Sequence, residues 1–357
     1  MSIKLKDVAK QANVTLTTAS LVLNNRTSLV PVSEKTRQRV LLAASQLNYH
    51  PNYAARSLRT RRTFTIGVVA NSPRNQWHML DAAEQIAEAK GFELLVTISR
   101  WNVDAEENTL RRLLNRRVDG ILILGPTIES ANRQELESLA TDNYPVVGIG
   151  PMVTKGIDYV DFDRTAALQN LTEHLLAQRC RSFVFLESVD TPGCRALVAG
   201  IEAALKGNSG VSFTPLKLSP INSSLSLAQM SEAITSFLKT NRPDAVICRA
   251  DEWALVVIRA AERAGIAVPG HMAVTGSGDT PLGAGLHPPL TTLKIPHEIM
   301  VQVAMDRLID RITNPTVPRE RLAKLIPAEL VIRQSCRFKP AQPGNSIVKI
   351  TEGGTTP

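Results

Sequence analysis

Residues 5–23 read LKDVAKQANVTLTTASLVL. Leu5, Val8, Ala9 and Ala12 recur at i, i+3, i+4, i+7, the spacing of a helix that buries one face. Asn13 follows, a residue that tolerates the left-handed backbone of a sharp turn. Thr15 can then cap a second helix whose apolar side holds Ala19, Val22 and Leu23. Two short helices joined in this way form the pattern of a helix-turn-helix. The second helix is expected to present Leu16, Thr17, Thr18 and Leu21 away from the small core. Further on, Ser33 caps a third helix, with Val40, Leu41, Ala44 and Leu47 directed inward and Arg37 and Arg39 outward.

Charge separates this head from the rest. Residues 1–62 carry eleven of the 41 Lys and Arg residues but only Asp7 and Glu34 of the 33 acids. The remainder of the chain is close to neutral. A compact basic head on a neutral body suits a phosphate-binding module fused to a separate globular unit, whereas a basic tail would lack the periodic apolar residues. Pro51 then blocks continuation of the third helix and Asn52 can cap a new one. Ala54, Ala55 and Leu58 form a short apolar stripe flanked by Arg56 and Arg59. A helix of this length is marginal alone and is expected to order only when packed against a partner.

From Phe64 onward strands and helices alternate. Strands are expected at 66–70, 94–98, 120–124 and 145–149, with helices over 81–90 and 105–115 between the first three. A second set begins near Asp163: helices over 165–178, 195–206, 226–239, 252–264 and 297–312, and strands at 182–186, 245–248 and 273–275. Such alternation implies right-handed βαβ units on parallel sheets. Ligands of such sheets bind in the loops after the carboxyl ends of the strands. There the chain places unusual residues. Aromatics are only 4% of the sequence, yet Trp77, Trp101 and Trp253 are all expected just beyond strands. Arg74, Arg100 and Arg249 share those loops.

Other classes are set aside by what the residues lack. No apolar run approaches the ~18 residues of a membrane span, and no signal-peptide core opens the chain. Cys180, Cys194, Cys248 and Cys336 are far apart and have no metal-ligand spacing, so reduced thiols in a cytoplasmic protein are expected, with no metal or cofactor. The histidines form no His-x-x-x-His pair, Gly276-Ser277-Gly278 lacks the spacing of a nucleophile elbow, and Gly148-Ile149-Gly150 is no dinucleotide fingerprint. An enzyme is therefore not expected. A solute-binding receptor built on the same body is the other alternative, against which the basic head speaks.

The motifs Lys6-Asp7-Val8-Ala9-Lys10-Gln11-Ala12-Asn13-Val14-Thr15, Val32-Ser33-Glu34-Lys35-Thr36-Arg37 and Leu47-Asn48-Tyr49-His50-Pro51-Asn52 resemble the LacI/GalR family of bacterial repressors. Ala54-Ala55-Arg56-Ser57-Leu58 is similar to that family's hinge helix, and the likeness continues to about residue 337. The resemblance implies an α/β protein: an all-α helix-turn-helix head and hinge helix, then two doubly wound parallel-sheet lobes like those of a periplasmic binding protein. Its expected domains are 1–50, the hinge 51–62, and an effector-binding and dimerisation body 63–338. Within the body, lobe 1 takes 63–161 and 292–324 and lobe 2 takes 162–291 and 325–338, so the last long helix should return to the first lobe. Residues 339–357 are expected to form a loose tail.

The family further implies a homodimer on a pseudo-palindromic DNA operator. Leu16 and Thr17 match its base-reading positions. Leu21 departs from the usual polar reader, and a base contact and a core role both stay open for it. Thr15, Thr18, Asn24 and Tyr49 are cast as phosphate contacts, and Ala54, Ala55 and Leu58 as the minor-groove hinge, with Leu58 the wedge that kinks the duplex. Arg195 aligns with the family arginine that bonds the effector, in the pattern Arg-x4-Gly ending at Gly200. Asp163 and Asp279 match acidic cleft positions. With Trp77, Arg100, Trp101, Asp251 and Trp253 they complete the expected effector site. Ala250 stands where the family commonly has Asn, and Gly278 replaces the first of a usual acid pair. Fewer hydroxyl acceptors and more guanidinium groups point to an anionic effector, such as a sugar phosphate or organic acid. Whether it induces or corepresses is open.

Overall fold

A computed structural model describes residues 3–23, 32–49, 62–71, 73–100, 103–125, 133–151, 154–187, 191–217, 227–317 and 320–336. Residues 51–61 of the expected hinge and the tail lie outside these residues. The chain divides into two units, 1–64 and 65–357.

The first unit is helical: α1 (Leu5–Gln11), α2 (Leu16–Leu23) and α3 (Glu34–Gln46). Asn13 takes the left-handed conformation between α1 and α2, at φ 47°. Both later helices start on a hydroxyl cap: the Thr18 amide donates to Thr15 Oγ1 at 3.1 Å and the Thr36 amide to Ser33 Oγ at 3.3 Å. The core is thin and made of small residues, namely Val8, Ala9, Ala12, Ala19, Val22, Val40, Ala43 and Ala44, with Leu5, Leu23, Leu47 and Tyr49 packed around it. One expectation is corrected here. Leu41 is 45% exposed, and Ala43 is buried in its place. The inward stripe of α3 is Val40, Ala43, Ala44, Leu47, a single helical face, and Leu41 lies about 100° around the helix from Val40.

The second unit holds two six-stranded sheets. The first has the order β11-β5-β4-β3-β1-β2, with β1 Thr65–Ala70, β2 Glu93–Ile98, β3 Gly120–Leu124, β4 Val146–Ile149, β5 Asp158–Phe162 and β11 Ala323–Ile326. All its pairings are parallel. The second has the order β12-β10-β9-β8-β6-β7, with β6 Ser182–Glu187, β7 Ser212–Lys217, β8 Ala245–Cys248, β9 Ala273–Ser277, β10 Thr291–Lys294 and β12 Glu329–Val331. Only β12 runs antiparallel, along β10. Strands β3 and β4 are buried throughout, which explains their continuous apolar runs: a parallel sheet is covered on both faces.

The connecting helices are α4 (Pro73–Ala89), α5 (Val103–Asn115), α6 (Arg133–Thr141), α7 (Arg164–Ala177), α8 (Pro192–Leu205), α9 (Leu227–Asn241), α10 (Asp251–Arg263), α11 (Pro281–Gly285) and α12 (His297–Thr313). The chain passes between the sheets three times: after β5, after β10 and after β11. As expected, the last long helix, α12, returns to the first sheet, where it packs on β3, β4, β5 and α4. Asp158, 2% exposed, anchors that return. Its carboxylate accepts from Arg307 Nε at 2.7 Å, Arg311 Nη1 at 3.3 Å and the Leu322 amide at 2.7 Å. Helices α7 and α8 pack closely because residue 200 is glycine: a Cβ there would run into the Thr165 carbonyl.

Candidate DNA-reading face and effector cleft

In the head, the two sides of α2 differ sharply. Ala19 and Val22 are buried, whereas Leu16 is 53% exposed and Thr17 is exposed beside it. Leu21 is half-buried but is not among the side chains packed on the core. The Thr15 and Thr18 hydroxyls lie 2.9 Å apart in a hydrogen bond, so each keeps limited capacity for an outside partner. Tyr49 packs its ring on the core, and burial pushes its phenol pKa up. Asn24 and the hinge positions Ala54, Ala55 and Leu58 lie outside the described residues.

In the body, the carboxyl ends of β6, β8, β9 and β10 surround a cavity of about 50 Å³, closed on one side by Phe162 and Arg164 at the first passage between the sheets. Leu197, Ile247 and Leu293 supply apolar wall. Arg164 is firmly held: its Nε and Nη2 donate to the two Asp161 carboxylate oxygens at 2.8 and 3.0 Å, and its guanidinium lies 4.4 Å over the Phe162 ring. Burial pushes the Asp161 carboxyl up, and the Arg164 charge opposes that. Arg249, half-buried at the end of β8, donates from Nη1 to Cys194 Sγ at 3.4 Å. Two wider grooves, of about 690 and 850 Å³, flank α10, and neither includes these strand ends.

The expected effector residues distribute unevenly. Asp163 caps α7, accepting from the Ala166 amide at 2.9 Å. Asp279 sits in left-handed backbone (φ 50°) after Gly278 and pairs with Arg333 Nη2 at 2.6 Å. Arg100 is exposed after β2, also left-handed at φ 53°. Arg195 is exposed on α8 and does not line the cavity. Trp77 does not follow a strand in a loop as expected. It lies within α4, which starts eight residues before the position read from the sequence, 55% exposed and with its ring centroid 3.6 Å from that of His78. The helix opens on Pro73, and its first position is a favoured site for proline. Trp253 lies in the first turn of α10 and packs on the core of the second sheet. Trp101 is outside the described residues.

Asp251 requires a correction. It is fully buried, and its carboxylate accepts from the Thr280 amide at 2.7 Å, Thr280 Oγ1 at 2.9 Å and Thr292 Oγ1 at 2.6 Å. A carboxylate with three internal donors shapes the 278–283 loop and has no free face for a ligand. Sequence reasoning gave no site role to Phe162, Arg164 or His297. The last is neutral at physiological pH: burial lowers its pKa to about 4, with His78 and Arg164 adding to the effect. Among the described residues no cluster has metal-ligating composition, and no helix is long and apolar enough to cross a membrane.

These features define a class: a helix-turn-helix head joined to a two-sheet body of periplasmic-binding-protein type. Known proteins place it further. Residues 4–52 match the bacterial regulatory proteins of the lacI family, and residues 172–336 match the periplasmic binding protein-like domain. The chain is 28% identical over 337 residues to the transcriptional repressor PurR of Aliivibrio fischeri, covering 93% of this chain and 97% of that protein. It is 29% identical over 329 residues to catabolite control protein A of Staphylococcus xylosus, covering 88% and 93%. A crystal structure of the lac repressor dimer bound to operator and the anti-inducer ONPF superposes with TM-score 0.77 at 27% identity, covering 94% of this chain and 99% of that one. The head thus matches the lacI family of regulatory proteins and the body a periplasmic binding protein-like domain, in the same order as in these repressors. The chain's relatives are regulators of transcription, not enzymes.

Proposed function

We propose that the chain is a cytoplasmic homodimer that binds a two-fold symmetric DNA operator and acts as a repressor, with operator affinity set by a small polar effector between its lobes. The observation that carries the reading is α2, whose buried side is filled by Ala19 and Val22 while Leu16 and Thr17 stand exposed at its start, on a strongly basic head. Leu16, Thr17 and Leu21 are proposed to meet base edges, where Thr17 can donate or accept and leucine can press on a thymine methyl. Thr15, Thr18, Asn24 and Tyr49 are proposed for phosphate and Ala54, Ala55 and Leu58 for the minor groove. The domain boundaries proposed are those read from the sequence, corrected at the passages between the lobes: the first sheet keeps β5 through Phe162 and β11 through Ile326, and the second keeps β10 through Lys294.

For the effector, Trp77, Arg100, Trp101, Asp163, Arg195, Trp253 and Asp279 remain proposed, and Asp251 becomes the residue that positions the Asp279 loop. Linkage makes the control reciprocal: an effector that weakens operator binding is itself weakened by operator to the same degree. A nuclease footprint combined with a salt titration tests the DNA reading. If each head and hinge covers about four or five phosphates, log K against log salt has a slope of about −7 to −9. A footprint without two-fold symmetry, or a slope shallower than about −3, overturns it.

A further inference from the structure

Among the described residues, several charged side chains around the second sheet's strand ends have partners. Arg164 is paired with Asp161, Asp279 with Arg333, and Asp251 with two threonines. Arg249 has no carboxylate partner among the described residues; its one hydrogen bond goes to the Cys194 sulfur. Sulfur is a weak acceptor, and a guanidinium carries five N–H donors. A half-buried cation so poorly compensated is costly to fold unless something else completes it.

The surroundings indicate what completes it. Arg249 lines the cavity together with Arg164, so two arginines border a space walled by Phe162, Leu197 and Leu293. Cys194 places the first turn of the fourteen-residue helix α8 next to it, and the positive end of a helix favours an anion. Gly193 leaves that turn bare: a Cβ there would stand 3.5 Å from Arg164 Cζ. The cavity of about 50 Å³ exceeds the ≈ 30 Å³ share of one water. It is far below the roughly 300–1,000 Å³ that encloses a whole small molecule. It suits the head group of a ligand whose remainder lies outside.

We infer that this cavity is an oxyanion subsite in which Arg249 binds the carboxylate or phosphoryl group of the effector. The assignment rests on the effector reading above and narrows it to anions. Arginine matches such groups with two parallel N–H···O bonds, a geometry glutamine or lysine cannot reproduce.

Calorimetric titration of the full chain at constant ionic strength tests the inference, with a short dicarboxylate, a hexose phosphate, inorganic phosphate and the unphosphorylated hexose as probes. At least one oxyanion should bind and the neutral hexose should not; whichever of dicarboxylate and phosphate binds identifies the source of the charge. R249Q should weaken that binding about 10- to 100-fold, the weight of a charged hydrogen bond. R249K should lose less, and it keeps the test open if the glutamine variant does not fold. Equal affinity in parent and both variants, no oxyanion binding, or binding of the neutral hexose alone overturns the subsite. Operator affinity measured with the same probes separates the two claims. Oxyanion binding that R249Q abolishes, with operator affinity unmoved, supports the subsite and defeats the effector reading. A neutral hexose that releases operator does the reverse.

Discussion

The head and the body reach their active surfaces over very different distances along the chain. In the head the decisive hydrogen bonds join residues three apart, Thr15 to Thr18 and Ser33 to Thr36, and the whole core lies between Leu5 and Tyr49. In the body, Asp158 is bonded to residues 149 and 153 positions away, Asp251 to one 41 away and Asp279 to one 54 away. A surface made by local periodicity is displayed by the order of the residues alone. A site made where strand ends from distant segments converge is not, because any acid or arginine near a strand end looks the same until its partner is known.

The first way to break this comparison is to remove a long-range anchor. Asp158→Ala leaves the half-buried Arg307 and Arg311 guanidinium groups with only neutral acceptors among the described residues, and losing one partner of a buried pair costs about 3–5 kcal/mol. All three tryptophans, Trp77, Trp101 and Trp253, belong to the body, so their fluorescence in a urea titration follows the body alone. The midpoint should fall strongly while amide exchange in α1 to α3 is unchanged. A small fluorescence shift would show that the α12 return does not depend on Asp158.

A smaller effect comes from His297. Its Nδ1 is buried without a hydrogen-bond partner among the described residues, and its pKa is lowered from 6.5 to about 4, first by burial and then by His78 and Arg164. The unfolded chain therefore binds a proton more readily than the folded one. The associated stability is complete above about pH 6.5 and is lost as pH falls towards the folded value near 4. With allowance for partial exposure, this is on the order of 2 kcal/mol. His174, lowered by burial, adds in the same direction. His297→Leu should flatten the decline of the tryptophan-monitored midpoint between pH 7 and pH 4.5; an unchanged slope would place the acid sensitivity elsewhere.

What the residues disclosed in advance follows this division. The α1 stripe, the Asn13 turn and the Thr15 and Ser33 caps were legible because each is a local rule, and only Leu41 was assigned to the wrong face. In the body the strands with uninterrupted apolar runs, such as Gly120–Leu124, were legible too. Strand β7 was not, since SFTPLK is exposed at four of its six positions without alternation and contains proline, as an edge strand can. Strands β10, β11 and β12 have three or four residues each and, unlike Ala245–Cys248, no uninterrupted apolar run. Asp251 was assigned to the ligand because its sequence position is right. Only the fold reveals that Thr280 and Thr292 already occupy it. Arg249 stands in its loop in the sequence, but that no acid among the described residues pairs with it is a property of the packed structure.

Within the head, two adjacent residues sharpen the point. Val40 is fully buried and Leu41 is 45% exposed. Val40→Ala should lower head stability by about 2 kcal/mol through lost burial and an unfilled space. Leu41→Ala should stay within ±0.5 kcal/mol, as expected for a surface site. Amide exchange of α3 reads both. A larger loss for Leu41→Ala would mean that its exposed face is covered by something other than the core of the head.

The smallest effect is also the most local. Thr15 caps α2 through its hydroxyl, and it is proposed to touch phosphate as well. Removing a threonine cap typically costs about 1 kcal/mol, so Thr15→Ala should raise amide exchange at the start of α2. Thr15→Ser, which keeps the hydroxyl, should change little. DNA binding separates the two roles. A hydroxyl contact releases no counterion, so the alanine variant should bind every sequence more weakly while its salt slope stays that of the parent. Loss of affinity confined to one operator sequence would instead make Thr15 a reader of bases. Unaltered affinity with a frayed helix would leave it a cap only, and the phosphate would have to be held by the basic residues around it.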